Sequence, residues 1–190
     1  MALALIWVLA RASIAADAAA ERKPAKPRDD LPGLANFAEV SDALWRGAQP
    51  TAAGFAELKR RGAKTIVDLR AEHSDRQLLA GTGLQYIEIP CLAWDPEEKN
   101  VLQFLKVVSD PKHQPVFVHC QAGADRTGMM VAVYRMTRQG WTSKEALAEL
   151  PHFHFHPVFA NVAVFLIKFD PAATRKKLEQ TAAPKIEVIK

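Results

Sequence analysis

Residues 115–128 read Pro-Val-Phe-Val-His-Cys-Gln-Ala-Gly-Ala-Asp-Arg-Thr-Gly, and the apolar run Met129-Met130-Val131-Ala132-Val133-Tyr134 follows. The short β-branched run Val116–Val118 has the composition of a buried strand. The run after Gly128 is apolar on nearly every side, as in a helix buried all round. A strand, a tight loop and a helix start in this order direct backbone N–H groups and a positive helix end into one concavity, which suits a phosphate-sized anion. Cys120 stands at its entrance and Arg126 six positions later.

These residue types fit one chemistry. A thiol attacks only as thiolate, and helix-end amides with a nearby cation stabilise that anion. Arg126 offers a planar fork to two phosphate oxygens. Gly123 lets the backbone turn back toward a ligand. Thr127 is expected to donate a hydroxyl hydrogen bond to the sulfur, and His119 to fix the loop by bonding to backbone. Residues Gln121, Ala122, Gly123, Ala124, Asp125 and Arg126 would form the phosphate-binding loop. A lone buried cysteine is usually an inert small hydrophobe. A nucleotide P-loop is excluded because no Gly-Lys-Ser/Thr ending is present.

At His119, Cys120, Arg126 and Thr127 the sequence resembles the cysteine-dependent protein tyrosine phosphatase superfamily. With Leu44-Trp45-Arg46-Gly47-Ala48-Gln49-Pro50 as an opening strand, it is more narrowly similar to the small dual-specificity phosphatases, over roughly residues 35–170. The resemblance implies an α/β fold with a central, largely parallel sheet flanked by helices, the loop lying between a central strand and the buried helix. It implies catalysis without metal or other cofactor, through a cysteinyl-phosphate. It also places a general acid at Asp95, 25 residues before Cys120. A local alternative exists for Asp95, since Pro96 and Glu98 behind it make a good helix start, close to a capping box. Asp125, next to Arg126, is expected to brace the loop instead of donating protons.

The substrate expected from the resemblance is a phosphorylated protein carrying phosphotyrosine, phosphoserine or phosphothreonine, because no segment matches a separate phosphotyrosine-recognition loop. The alternatives are a phosphoinositide or other small phosphoester, and a pseudophosphatase adaptor that binds phosphate without turnover. Lipid-directed relatives often add lysines to this loop, where Gln121, Ala122, Ala124 and Asp125 stand here. Arsenate reduction would call on a resolving thiol, for which Cys91 is the candidate. Cys91 is also the candidate partner for a regulatory disulfide with Cys120.

The rest of the chain sets bounds. Its 190 residues, 49% apolar, allow one domain with a sizeable core. Residues 31–170 hold fifteen Lys/Arg and fifteen Asp/Glu, so the net charge of +4 comes from the ends and no nucleic-acid face is expected. Ala2 to Ala10 is apolar and small residues follow, as in a secretory signal peptide over residues 1–20. It is too short to span a bilayer. The protein would then be exported or periplasmic, and otherwise cytoplasmic. Residues 21–34 are expected as a linker and 171–190 as a mobile tail.

Further helices are expected over 51–61 with Thr51 as N-cap, around Val101 to Val108, from Thr142, and from Pro157. Strands are expected at 44–46, 65–69 and 84–89. His152, His154 and His156 alternate with Phe153 and Phe155 without an acidic or cysteine neighbour, so the segment reads as a loop whose aromatics cover the sheet and not as a metal site.

Overall fold

The computed structural model describes residues 23–190, and the apolar run expected as an export signal lies outside them. Six strands form one sheet: β1 (Ala38–Ser41), β2 (Leu44–Gly47), β3 (Thr65–Asp68), β4 (Gln85–Glu88), β5 (Val116–His119) and β6 (Glu187–Val188), in spatial order β1-β2-β5-β3-β4-β6. The four inner strands are parallel, and β1 and β6 close the edges antiparallel. This is the mixed, mostly parallel sheet of an α/β fold.

Among the described residues seven helices flank it: α1 (Ala52–Arg61), α2 (Arg76–Leu79), α3 (Glu98–Ser109), α4 (Asp125–Arg138), α5 (Ser143–Glu149), α6 (Ala160–Lys168) and α7 (Pro171–Gln180). Strand alternation sorts the core into two layers. Trp45, Ile66, Tyr86 and Phe117 face Phe55 and Leu58 of α1 and Leu79 of α2. Leu44, Val67, Ile87, Val116 and Val118 face α3 and α4 through Val101, Phe104, Leu105, Met130 and Val133. Being covered on both sides, β5 carries the unbroken apolar run Val116–Val118 before His119, and so reads as continuous and not as alternating.

Local signals set several helix ends. Thr51 accepts from Gly54 N at the start of α1, and Gly62 ends it in the left-handed conformation with φ 98°. Thr142 and Glu145 form a reciprocal capping box on α5. Elsewhere such signals lose to tertiary structure. Helix α3 begins at Glu98, while Asp95 closes a turn with Leu92, its N bonded to Leu92 O at 3.2 Å. Asp95 is therefore no helix cap. Helix α6 begins at Ala160 and not at Pro157.

Two segments differ from expectation. Residues 171–190 are not a mobile tail: Asp170 caps α7 through Ala172 N and Ala173 N, Leu178 is buried against the α3–α4 layer, and Ile189 is buried in the opposite layer. Their apolar residues are too sparse to announce a helix alone. In the presumed linker, Arg28 and Phe37 exchange backbone hydrogen bonds and Leu34 is buried, so 28–34 form an arm on the domain. Among the described residues no helix is long and apolar enough to cross a membrane.

Strands β2, β3 and β5 all end at one rim, at Gly47, Asp68 and His119, which lie side by side in register. This is where parallel sheets place their ligand crevice. Deleting the buried part of one C-terminal side chain tests the docked helix: Leu178→Ala is expected to lower stability by about 2 kcal/mol or more in urea unfolding, whereas a change in a mobile tail would stay within about 0.5 kcal/mol.

Candidate active site

The chain leaves β5 at His119 and enters α4 at Asp125, so residues 120–124 cross the rim between a central strand and a helix start. Gly123 is in the left-handed region with φ 69°, and a Cβ there would lie 2.5 Å from the Gly47 carbonyl carbon. Only glycine meets both demands. The loop rests directly on the backbone that follows β2.

Cys120 and Arg126 line one cavity of about 410 Å³, together with Gln121, Ala122, Asp125, His156, Val158 and Phe159. Cys120 is a free thiol and 2% exposed. The Arg126 guanidinium makes no hydrogen bond or ion pair with the described residues, which leaves its fork open to a ligand. Thr127 Oγ1 is buried without a hydrogen-bond partner among the described residues, so the expected bond to the sulfur is not formed here. Asp125 accepts from His156 N at 2.8 Å and faces His156 Nδ1 at 2.9 Å. The histidine run thus does have an acidic neighbour, 31 residues away in sequence, and that contact holds the segment forming the cavity wall. Asp95 does not line the cavity. It sits on the exposed turn 92–95, beside a Trp94 that is 66% exposed.

Behind the loop lies a buried polar layer built on His119, the one member whose role sequence reasoning named. His119 is fully buried, with Nδ1 3.2 Å from Cys120 O and Nε2 2.9 Å from Asp75 Oδ2. Gln49 donates to Asp75 Oδ1 at 2.6 Å and accepts from Arg70 at 3.0 Å. Asp68, also fully buried, accepts from Arg70 N and Tyr86 OH and lies 3.0 Å from His73 Nδ1. Asp68, Asp75 and His119 bring their ligand-type atoms within 4.8 Å of one another, and each already has these protein contacts. Asp68 lies within the strand expected at 65–69, while nothing in sequence marked Asp75 as a partner of His119.

Arg46 is also fully buried. Its Nη2 donates to Gly123 O at 2.6 Å, and its guanidinium lies 3.6 Å from the Phe153 ring centre. Burial pulls its pKa down to about 9, with Glu149 and Cys120 opposing the shift. Asn36 Nδ2 donates to Ala122 O at 3.1 Å and to Phe153 O at 3.3 Å. Arg46 stood inside the quoted opening strand, while nothing in sequence marked Asn36.

A cysteine at the mouth of an amide-lined loop, six residues before an unpaired arginine at a helix start, defines an anion site of the cysteine-phosphatase class. The chain belongs to the family described as DSP-PTPase phosphatase fused to NAD+ kinase, whose model it matches over residues 31–158. It is 34% identical over 142 residues to the dual specificity protein phosphatase TpbA of Pseudomonas aeruginosa, covering 74% of this chain and 64% of TpbA. It is 34% identical over 127 residues to inositol diphosphatase DSP2 of Oryza sativa subsp. japonica, covering 62% of this chain and 61% of DSP2. The crystal structure of P. aeruginosa TpbA in complex with pTyr aligns with a TM-score of 0.72 at 27% identity, covering 84% of this chain and 99% of that one. The chain spans less than two thirds of the length of the two curated relatives.

The second cysteine has the opposite character to a nucleophile. Cys91 is buried, donates to Ile89 O at 3.1 Å, and burial pushes its pKa up to about 12. The native state then keeps this thiol protonated where the unfolded chain has ionised it. Its contribution is complete below pH 9 and is lost between about 9 and 12, by about 1.4 kcal/mol per pH unit. Urea unfolding at pH 8, 9 and 10 should show stability falling with pH more steeply in the natural chain than in Cys91→Ala. Parallel curves would contradict the shift.

Proposed function

We propose that the chain is a metal-independent phosphomonoesterase acting through a cysteinyl-phosphate, with phosphotyrosine in proteins as its preferred ester. The observation that carries this is Cys120 and an unpaired Arg126 lining the same loop-floored cavity. The thiolate attacks phosphorus in line while Arg126 and the loop amides hold the equatorial oxygens. The P–O bond to the substrate breaks and the departing oxygen takes a proton from Asp95. Water then attacks the phosphorus, the P–S bond breaks, Asp95 takes the water's proton, and phosphate leaves. The transition state is loose, so positioning and charge stabilisation supply most of the rate.

Two features favour Asp95 over Asp125 as the acid. Asp125 already accepts from His156 N and faces its ring nitrogen, so it is engaged in holding the cavity wall. Asp95 rides on an exposed turn, and without ligand catalytic contacts are often long and tighten only once substrate is bound. Preference for tyrosine rests on the walls. Val158 and Phe159, which line the cavity, are apolar. Among the described residues, Arg126 and His156 are the only cationic or potentially cationic ones lining the cavity, and Asp125 lies among them. A polyphosphorylated inositol, the second reading, is supported by the likeness to DSP2 and lacks the lysines that would balance its charge. The apolar run Ala2 to Ala10 further supports export, which N-terminal sequencing of protein from fractionated cells would test.

The deciding assay is phosphate release from a panel of phosphopeptides and inositol phosphates. Phosphotyrosine peptides are expected to be turned over at least about ten-fold faster than inositol polyphosphates. The reverse order would overturn the substrate assignment. Cys120→Ser should abolish turnover while the folded chain still binds phosphate. Asp95→Asn should slow phosphotyrosine strongly, because the phenol pKa of about 10 demands a proton, and spare esters of acidic phenols. If Asp125→Asn shows that leaving-group dependence instead, the acid lies within the loop.

A further inference from the structure

Three consecutive carbonyls of the phosphate loop are held from behind by three different elements. Gln121 O accepts from Gln49 N at 3.0 Å, Ala122 O from Asn36 Nδ2 at 3.1 Å, and Gly123 O from Arg46 Nη2 at 2.6 Å. In a trans peptide the C=O and the following N–H point opposite ways. Pulling these three carbonyls back turns the N–H groups of Ala122, Gly123 and Ala124 forward. We propose that Asn36 and Arg46 are positioning residues that aim the loop amides at the bound phosphoryl group, Asn36 doing so from an N-terminal arm outside the catalytic motif. The inference deepens the catalytic reading above and rests on it.

The supporting contacts show that this is a built arrangement. Asn36 is 6% exposed and takes a positive φ of 52°, a conformation that asparagine tolerates better than most residues. Its own N donates to Asp29 Oδ1 at 2.6 Å, and the Arg28–Phe37 backbone pair fixes the arm on either side. Its second amide hydrogen bond, to Phe153 O, ties the loop to the residue whose ring covers the Arg46 guanidinium. Arg46 Nε and Nη1 have no hydrogen-bond partner among the described residues. A fully buried guanidinium with so few partners is costly for the fold. The Gly123 carbonyl is the one acceptor on which it is spent, and its positive charge stands directly behind an anion site.

The test uses substitutions at Asn36 that keep the backbone. Asn36→Gly suits the positive φ and removes only the amide. Asn36→Asp keeps the shape but sets an acceptor against the Ala122 carbonyl. Three quantities are measured on the full chain: the dissociation constant of inorganic phosphate by calorimetry, kcat and KM for an aryl phosphate, and the pH dependence of Cys120 alkylation by iodoacetamide. Circular dichroism confirms the fold of each variant. Asn36→Asp should weaken phosphate binding about ten-fold or more, lower kcat more than it raises KM, and move the alkylation profile to higher pH. Asn36→Gly should shift all three the same way by a smaller factor, and it decides the matter alone if Asn36→Asp fails to fold. Arg46→Lys should behave like Asn36→Asp, because a point charge reaches one acceptor without the planar stacking. Folded Asn36 variants with unchanged phosphate binding and alkylation would overturn the proposal. Those two readouts report loop geometry even if the natural chain hydrolyses no phosphoester, so failure of the catalytic reading would be seen separately.

Discussion

Backbone meets backbone where the loop crosses the end of β2, and the rest of the site depends on that contact. Gly123 approaches Gly47 and Ala48 so closely that a methyl group has no room. Gly47 is itself constrained, since a Cβ there would lie 2.9 Å from the Phe117 ring. The parallel register that sets Gly47 beside His119 makes the approach possible. Because no side chain separates the layers, donors carried by the 47–49 segment and by Arg46 reach the loop carbonyls directly. The cradle is thus made by sheet register before any charged side chain acts.

The charges divide by side. In front of the loop stand amides, the positive start of α4 and Arg126, which favour an anion, with Asp125 drawn aside to His156. Behind it, Asp68 and Asp75 are fully buried and receive hydrogen bonds from Arg70 N, Tyr86 and Gln49, with His73 and His119 against them. Two buried carboxylates near an anion site would oppose it if they were bare. Their bonds hold that charge on the far side of His119 and keep the rim rigid, while Arg46 puts the opposite charge immediately beneath Gly123. Burial also raises the Tyr86 phenol pKa, which keeps it a neutral donor to Asp68.

What could be read from sequence was local or periodic. The strand–loop–helix order, the Thr51 and Thr142 caps and the apolar faces of α1 and α3 are fixed by residues a few positions apart. What could not be read depends on partners far along the chain. Asn36 is 86 residues from Ala122, Asp125 is 31 from His156, and Asp75 is 44 from His119. A local signal also misleads where a tertiary contact outweighs it: Asp95 has the right followers for a helix cap, yet turns back on Leu92 instead. Helix α7 was hidden because Thr174 and Leu178 are its only buried positions, too few for a periodic stripe.

The same split separates chemistry from selectivity. Everything that shapes the cradle is buried and bonded from several sides, so substitution there changes the loop itself. The outer cavity wall is built differently: Val158 is 81% exposed and Phe159 is only partly buried. These positions bear little of the core and are free to vary without disturbing β5 or α4. Relatives that carry a phosphotyrosine complex in one case and an inositol diphosphatase name in another are then compatible with one supporting architecture. Selectivity would be decided by how much positive charge and how much apolar surface the rim presents. Here the cavity lining sets apolar Val158 and Phe159 beside Arg126, His156 and Asp125.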